Sequence, residues 1–503
     1  MLIKIQDLDR QLLTHPAGNA IVIIMKKEYL IGRISECKRL DQCMREDSAQ
    51  LIVVYGRRRV GKTYLINEYF NYTFAFKLTG SYNEPKADQL ERFAMELNRH
   101  TGKNADVPEN WNRAFEQLRI YLENLPKKKK QVVFLDELPW FDTRKSKFLP
   151  AFEWFWNDWA STQRNLVFII CGSATSWMVE NITDNKGGLF RRHTSRLYLE
   201  PFSLSETKQF LYKKGILWSA YEVAECYMIM GGIPYYLNLL DSSLSYTQNI
   251  DRLFFKRKGD LWDEFDILYS TLFSNNENYI KIVKALSERQ YGYTRGEIAE
   301  KVKLAPNGKL TKILKNLSDS GFVRATSFYG NKKKDTLYQL SDYYTKFYFT
   351  FVKDKYGKDQ NYWSKAIDNS VRRVWAGLTF EQLCKDHTAQ IKNKLGISGI
   401  ITEESVWFTK ADEELGITGA QVDMVIDRGD RVIDLCEMKF SVNMFSIDKS
   451  YNEDLKNKKE SFLKKTRTNK AVQLIMVTTY GIKEGKYNSS IGGQVVLNDL
   501  FKE

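Results

Sequence analysis

Directly after the apolar run Leu51 to Tyr55, and directly before the amphipathic stretch Tyr64 to Phe70, the chain reads Gly56-Arg57-Arg58-Arg59-Val60-Gly61-Lys62-Thr63. This is the pattern of a phosphate-binding loop between a strand and a helix. Gly56 and Gly61 allow backbone angles that a Cβ would block, so successive N–H groups can face one anion-sized hollow. The helix starting at Lys62 adds the positive end of its dipole. Lys62 is expected to reach the β- and γ-phosphates of a nucleotide, and the Thr63 hydroxyl to complete the coordination of Mg²⁺. Residues 56–63 and Tyr64 are therefore expected around ATP.

A second run, Gln131-Val-Val-Phe-Leu-Asp136-Glu137, is too short for a buried helix and ends in two acids, as does a central parallel strand delivering carboxylates to the edge of a sheet. Asp136 is expected to hold Mg²⁺ through water and Glu137 to polarise the attacking water. A third run, Asn165 to Gly172, ends at Ser173, which either senses the γ-phosphate or caps the next helix. Arg191, before the strand near 195, either neutralises transition-state charge, in its own subunit or a neighbour's, or is simply solvated.

These groups need a scaffold. Strands are expected at 51–55, 74–78, 131–136, 165–172 and 195–199, with helices near 63–70, 86–99, 109–124 and 147–160. Such alternation predicts a parallel α/β sheet. The chain has 503 residues, 43% apolar and 14% aromatic, enough for about three domains with real cores. Its six cysteines form no C-x-x-C pair and its four histidines are dispersed, which argues for a reducing cytoplasm and against structural zinc. No apolar run reaches the roughly eighteen residues of a membrane span. A net charge of +14 fits a polyanionic partner.

Several motifs in order resemble the archaeal-type ATPases, which belong among the AAA+ and STAND ATPases. They are Gly32-Arg33 with Glu36 and Leu40, the loop, Leu135-Asp-Glu-Leu138, Cys171-Gly-Ser173, and Gly231-Gly-Ile-Pro-Tyr-Tyr-Leu237. The resemblance spans residues 30–240. It implies that Gly32 and Arg33 lie near the adenine, that a helical lid follows the ATPase core, and that Gly231 to Pro234 begin the lid helix closing over the nucleotide. No sensor arginine stands out in the lid.

Residues 262–345 read as helix, helix, helix and wing, a winged helix-turn-helix pattern. Lys309, Lys312 and Lys315 share a face of the third helix, and Lys332, Lys333 and Lys334 lie in the wing. They either grip nucleic-acid phosphates or form the solvated face of an interdomain spacer. In the last unit, period-two geometry puts Glu437 and Lys439 on one strand face, and the turn Arg428-Gly-Asp brings the strand of Asp423 alongside. Two carboxylates and a lysine so placed would bind Mg²⁺ and activate water for phosphodiester cleavage, or form a bare salt bridge. E-x-K occurs five times in the chain, so the spacing alone says little. The order helix, three strands, helix, strand resembles the PD-(D/E)xK nuclease core, often carried by archaeal-type ATPases. That resemblance adds Glu381 as a further metal-binding acid, and departs from the motif at Val422, where its proline would stand.

The expected organisation is an extension at 1–24, an ATPase core at 25–204, a lid at 205–261, a winged-helix region at 262–354, a linker at 355–365 and a nuclease-like domain at 366–503. Two functions compete. One is a cytoplasmic ATPase whose nucleotide state controls a basic winged helix and a nuclease-like module acting on DNA. The other is a signalling scaffold whose C-terminal domain binds without cutting.

Overall fold

The structure, a computed structural model, describes residues 30–502 apart from 103, 185–186, 190–191, 274–275, 290, 331–335 and 356. The extension 1–24, Arg191 and Lys332 to Lys334 lie outside the described residues. The apolar runs form β1 (Gln50–Tyr55), β2 (Phe76–Thr79), β3 (Gln131–Asp136), β4 (Leu166–Gly172) and β5 (Ser195–Tyr198), all parallel, in the order β2-β3-β4-β1-β5. Every residue of β3 and β4 is buried, which is why these strands read as unbroken apolar runs. One face is covered by helices Lys86–Thr101, Trp111–Glu123 and Phe148–Asp158 through an aromatic core containing Trp111, Phe115, Phe148 and Phe155. The other face packs Leu40 and Ile66 from helices Ile34–Arg45 and Lys62–Tyr69. Because β1, β3 and β4 are parallel neighbours, their carboxyl ends converge on one edge.

Four helices follow: Leu204–Lys213, Ala220–Met230, Pro234–Asn238 and Tyr246–Ile250. Three begin with a capping box, Ser203 with Glu206, Ser219 with Glu222, and Ser245 with Gln248, in which side chains satisfy the first helical N–H groups. Gly232 is required at the next turn: its φ is +65°, and a Cβ there would lie 2.2 Å from the Phe202 carbonyl oxygen.

The middle region holds helices Glu264–Leu272, Glu277–Ser287, Arg295–Lys301 and Gly308–Asp319. A small antiparallel sheet follows, β6 (Tyr293–Thr294), β7 (Val323–Thr326) and β8 (Leu337–Leu340), in the order β6-β8-β7. The segment after β7 leaves this sheet. Tyr329 N donates to Val406 O at 2.9 Å and Val406 N to Ser327 O at 3.1 Å, so residues 327–329 run beside the edge of a second large sheet.

That sheet contains β9 (Thr402–Thr409), β10 (Ala420–Arg428), β11 (Val432–Lys439), β12 (Ala471–Thr478) and β13 (Ile491–Val496), ordered β13-β12-β11-β10-β9. β9, β10 and β11 are antiparallel; β11, β12 and β13 are parallel. The first helix in the order expected of the last unit is two helices, Ser370–Asp386 and Thr388–Lys394, broken at His387. The segment expected as a linker is structured at its end. Trp363 is fully buried against Phe347, Phe351 and Trp375, and the Asp251 carboxylate accepts from the N–H groups of Trp363 and Ser364. One hydrophobic core runs from Leu204 in the lid helices through Phe322 to Phe380 and Val477.

Candidate functional site

The phosphate loop closes against β5. Gly56 has φ +144°, and a Cβ there would lie 2.4 Å from Leu199 O, so only glycine fits. Gly61, at φ +90°, precedes the helix that begins at Lys62. Buried Lys62 donates to the carbonyls of Gly56 at 3.0 Å and Arg57 at 2.9 Å, so its ammonium is held by the loop that it serves. Burial lowers its pKa.

Thr63 Oγ1 donates to Asp136 Oδ2 at 2.9 Å, bringing a hydroxyl from the first turn of helix Lys62–Tyr69 and the carboxylate at the end of β3 to one point. This pair of hard oxygens suits Mg²⁺ held partly by phosphate and water. Glu137 sits in the left-handed region at φ 52° and is clasped by Ser173, whose N–H and hydroxyl donate to Oε2 at 3.1 and 2.8 Å. Burial raises the Glu137 carboxyl above its ordinary range, while Lys62 and the Ser173 bonds draw it back. The Ser173 side chain does not cap the next helix, Thr175–Met178; it orients Glu137 and lines the cavity.

The cavity has a volume of about 490 Å³. Arg59, Val60, Gly61, Lys62, Thr63, Tyr64, Glu137, Ser173 and Arg33 line it, and Leu30, Phe202, Phe210, Tyr235 and Asn238 complete its walls. Arg33 reaches Val60 O at 3.1 Å, and its N–H donates to Glu206 of the first lid capping box. Gly32 supports that contact from outside the lining: a Cβ would lie 1.9 Å from Glu206 Oε1.

Arg57 departs from expectation. Its side chain points away from the cavity, forms a buried ion pair with Asp342 and lies over the Phe322 ring at 5.0 Å. Arg58 likewise does not line the cavity. Sequence reasoning missed Glu264, which pairs with Arg59 at 2.6 Å, and Asp342; both lie far along the chain, beyond any local motif. Glu206 was missed as well, although Ser203-x-x-Glu206 is a capping-box signature that could have found it.

In the C-terminal region Asp423 of β10, Glu437 of β11 and Glu381 of helix Ser370–Asp386 are all buried. Burial, and next the Asp423 charge, raises both Glu381 and Glu437 above the carboxylate range. Lys439 lies 3.8 Å from Glu437 Oε2, but Lys458 of helix Lys449–Thr466, not singled out in the sequence, donates to both Glu437 oxygens at 2.8 Å. Asp423 Oδ2 accepts from Met438 N at 2.9 Å. Among the described residues no three Asp, Glu, His or Cys side chains converge as a metal cage. The acids expected to hold a metal, Glu381, Asp423 and Glu437, therefore do not form such a group, and Glu437 is ion-paired with Lys458 instead.

The first sheet and its loop define a P-loop ATPase-like domain. Residues 30–240 match a family model described as an ATPase domain predominantly from Archaea. Over 326 residues the chain is 27% identical to an uncharacterized protein of Methanocaldococcus jannaschii, covering 64% of this chain and 68% of that one. Among solved structures it is similar to the Walker-type ATPase of Pyrococcus abyssi, with TM-score 0.48, 17% identity, and coverage of 64% of this chain and 96% of that chain. The ORC2 protein of Aeropyrum pernix, solved as ADPNP and ADP complexes, matches with TM-score 0.41, 14% identity, and coverage of 69% and 96%. Among the described residues no helix is long and apolar enough to cross a membrane.

Proposed function

We propose that the chain binds ATP with Mg²⁺ at Gly56 to Thr63 and hydrolyses it to ADP and phosphate, its nucleotide state acting on the middle and C-terminal regions. The observation that carries this is the meeting of Lys62, the Thr63–Asp136 pair and the Glu137–Ser173 pair at one sheet edge. Thr63 and Asp136 would hold Mg²⁺, which supplies charge neutralisation across the phosphates. Lys62 binds and orients the phosphates; Glu137 takes the proton of the attacking water. Lys62→Ala should abolish binding of a fluorescent ATP analogue, and Glu137→Gln should keep binding and slow hydrolysis. Equal binding by wild type and Lys62→Ala would overturn the reading. Arg191 is assigned a share of the transition-state charge, in its own chain or across a homo-oligomer. Arg191→Ala should then lower the rate without altering affinity.

DNA is the proposed polyanionic partner of the middle region, read as a winged helix over 262–354, and the net charge of +14 supports this. Exposed Lys309 is available to phosphates, whereas Lys312 is paired with Glu180 and Lys315 with Asp319. For residues 366–503, read as a nuclease-like fold, the Lys458–Glu437 bond favours the second reading, a binding module without cleavage. Incubation with DNA, Mn²⁺ and ATP tests this: cleavage by wild type that Asp423→Ala abolishes would restore the nuclease.

A further inference from the structure

Arg59 occupies a backbone conformation uncommon for a side-chain-bearing residue, φ 70°. From there its guanidinium faces three elements at once. It lines the nucleotide cavity. It lies over the Tyr235 ring at 4.1 Å, in the lid helix Pro234–Asn238. Its Nη1 is 2.6 Å from Oε2 of Glu264, the first residue of helix Glu264–Leu272, which lies outside the matched ATPase segment. Glu264 is itself fixed: its other oxygen accepts from the Tyr236 hydroxyl at 2.8 Å, and it is 2% exposed. An arginine carries five N–H donors in a rigid fork, so one bound to Glu264 keeps others for a second anion. Arg59 is 18% exposed, and the space beside it is the cavity that Lys62 and Thr63 also line.

We propose that Arg59, held by Glu264 and Tyr235, donates to the terminal phosphate of bound ATP and so ties phosphate occupancy to helix Glu264–Leu272. This rests on the phosphate-loop reading above and assigns to the loop the sensing role for which no arginine stands out in the lid. Glu264 is a positioning residue: it touches no substrate, but orients the guanidinium that does. The same helix leads outward. Tyr269 contacts the Phe322 ring at 5.0 Å and the Thr345 hydroxyl at 3.2 Å, and Arg57, three residues from nucleotide-lining Val60, is ion-paired with Asp342. The phosphate loop thus holds the middle region by two arginines, one of which also faces the nucleotide.

The test uses the full chain with Lys62→Ala as control. Affinities for ATP and ADP are measured for wild type, Arg59→Gln and Glu264→Gln, the last keeping an acceptor for Tyr236 without the charge. Both variants should weaken ATP about tenfold, the scale of one charge-assisted bond, and leave ADP unchanged. Hydrogen exchange supplies a second readout. ATP should slow exchange of the amides of 264–272 in wild type more than ADP does, and this difference should vanish in both variants. Equal losses for ATP and ADP, or unaltered ATP affinity in both variants, would overturn the proposal while leaving the phosphate-loop reading intact. Wild type binding ATP no better than Lys62→Ala would remove both. Should Glu264→Gln fail to fold, Arg59→Gln alone decides the outcome, since its side chain is partly solvated.

Discussion

Ser173 and Glu137 illustrate how a single hydroxyl sets the titration range of a buried carboxylate. The 2.8 Å bond from Ser173 Oγ favours the ionised carboxylate against the burial that raises it. Ser173→Ala keeps the backbone N–H donor but loses this bond, so the Glu137 pKa should rise. The acid limb of the pH dependence of ATP hydrolysis should then move to higher pH, and an unmoved limb would count against Glu137 as the base. Gly232→Ala should be costly for a different reason: at φ +65° with a carbonyl oxygen 2.2 Å from the new Cβ, it should destabilise by about 1–3 kcal/mol or more, read as a fall in Tm. The loop, Asp136 and Glu137 were legible because each is a contiguous stretch whose chemistry is local. Glu264, Asp342 and Lys458 were not, because a carboxylate or an ammonium opening or riding on an ordinary helix carries no sign of the distant arginine or acid that it meets.

Between helices, His387 joins the C-terminal region to the start of helix Leu204–Lys213. Its ring accepts from Leu204 N through Nε2 at 3.1 Å and contacts Leu383 O through Nδ1 at 2.8 Å, an arrangement satisfied by the neutral imidazole with its proton on Nδ1. Burial lowers its pKa to about 4. The folded chain therefore binds this proton less readily than the unfolded one, whose histidine titrates near 6.5. Stability from this group is complete above pH 6.5 and is lost as pH falls from there toward 4, by about 3 kcal/mol in all. His387→Gln should flatten the fall in Tm over that interval, and an unchanged slope would mean that other groups set it. The helix break here was invisible in the sequence because apolar spacing continues across it. β13 was missed for the opposite reason: Ile-Gly-Gly-Gln-Val-Val contains two glycines, which weaken a strand pattern. The five strands of the first sheet lie within a few residues of their expected places, since continuous apolar runs bounded by turns leave little alternative.

Across the whole molecule the units are joined more firmly than the polar stretch 353–361 suggests. Trp363→Ala would open a cavity between Phe347, Phe351 and Trp375 and should cost about 3–5 kcal/mol. Calorimetry should then resolve an earlier transition for the C-terminal region, whereas one unsplit transition would show that the joint lies elsewhere. The strand-like pairing of residues 327–329 with β9 has a further consequence, for aggregation. Those residues occupy hydrogen-bonding groups that a sheet edge would otherwise present to any other extended chain. A fragment beginning at residue 366 keeps β9 but loses its cover, so it should self-associate as its concentration rises, a behaviour that sedimentation would detect. A fragment beginning at 320 brings the cover along and should self-associate less than the one beginning at 366 over the same range. Self-association of the shorter fragment alone would make the middle region the C-terminal sheet's guard against edge-to-edge stacking, a duty independent of any contact with DNA.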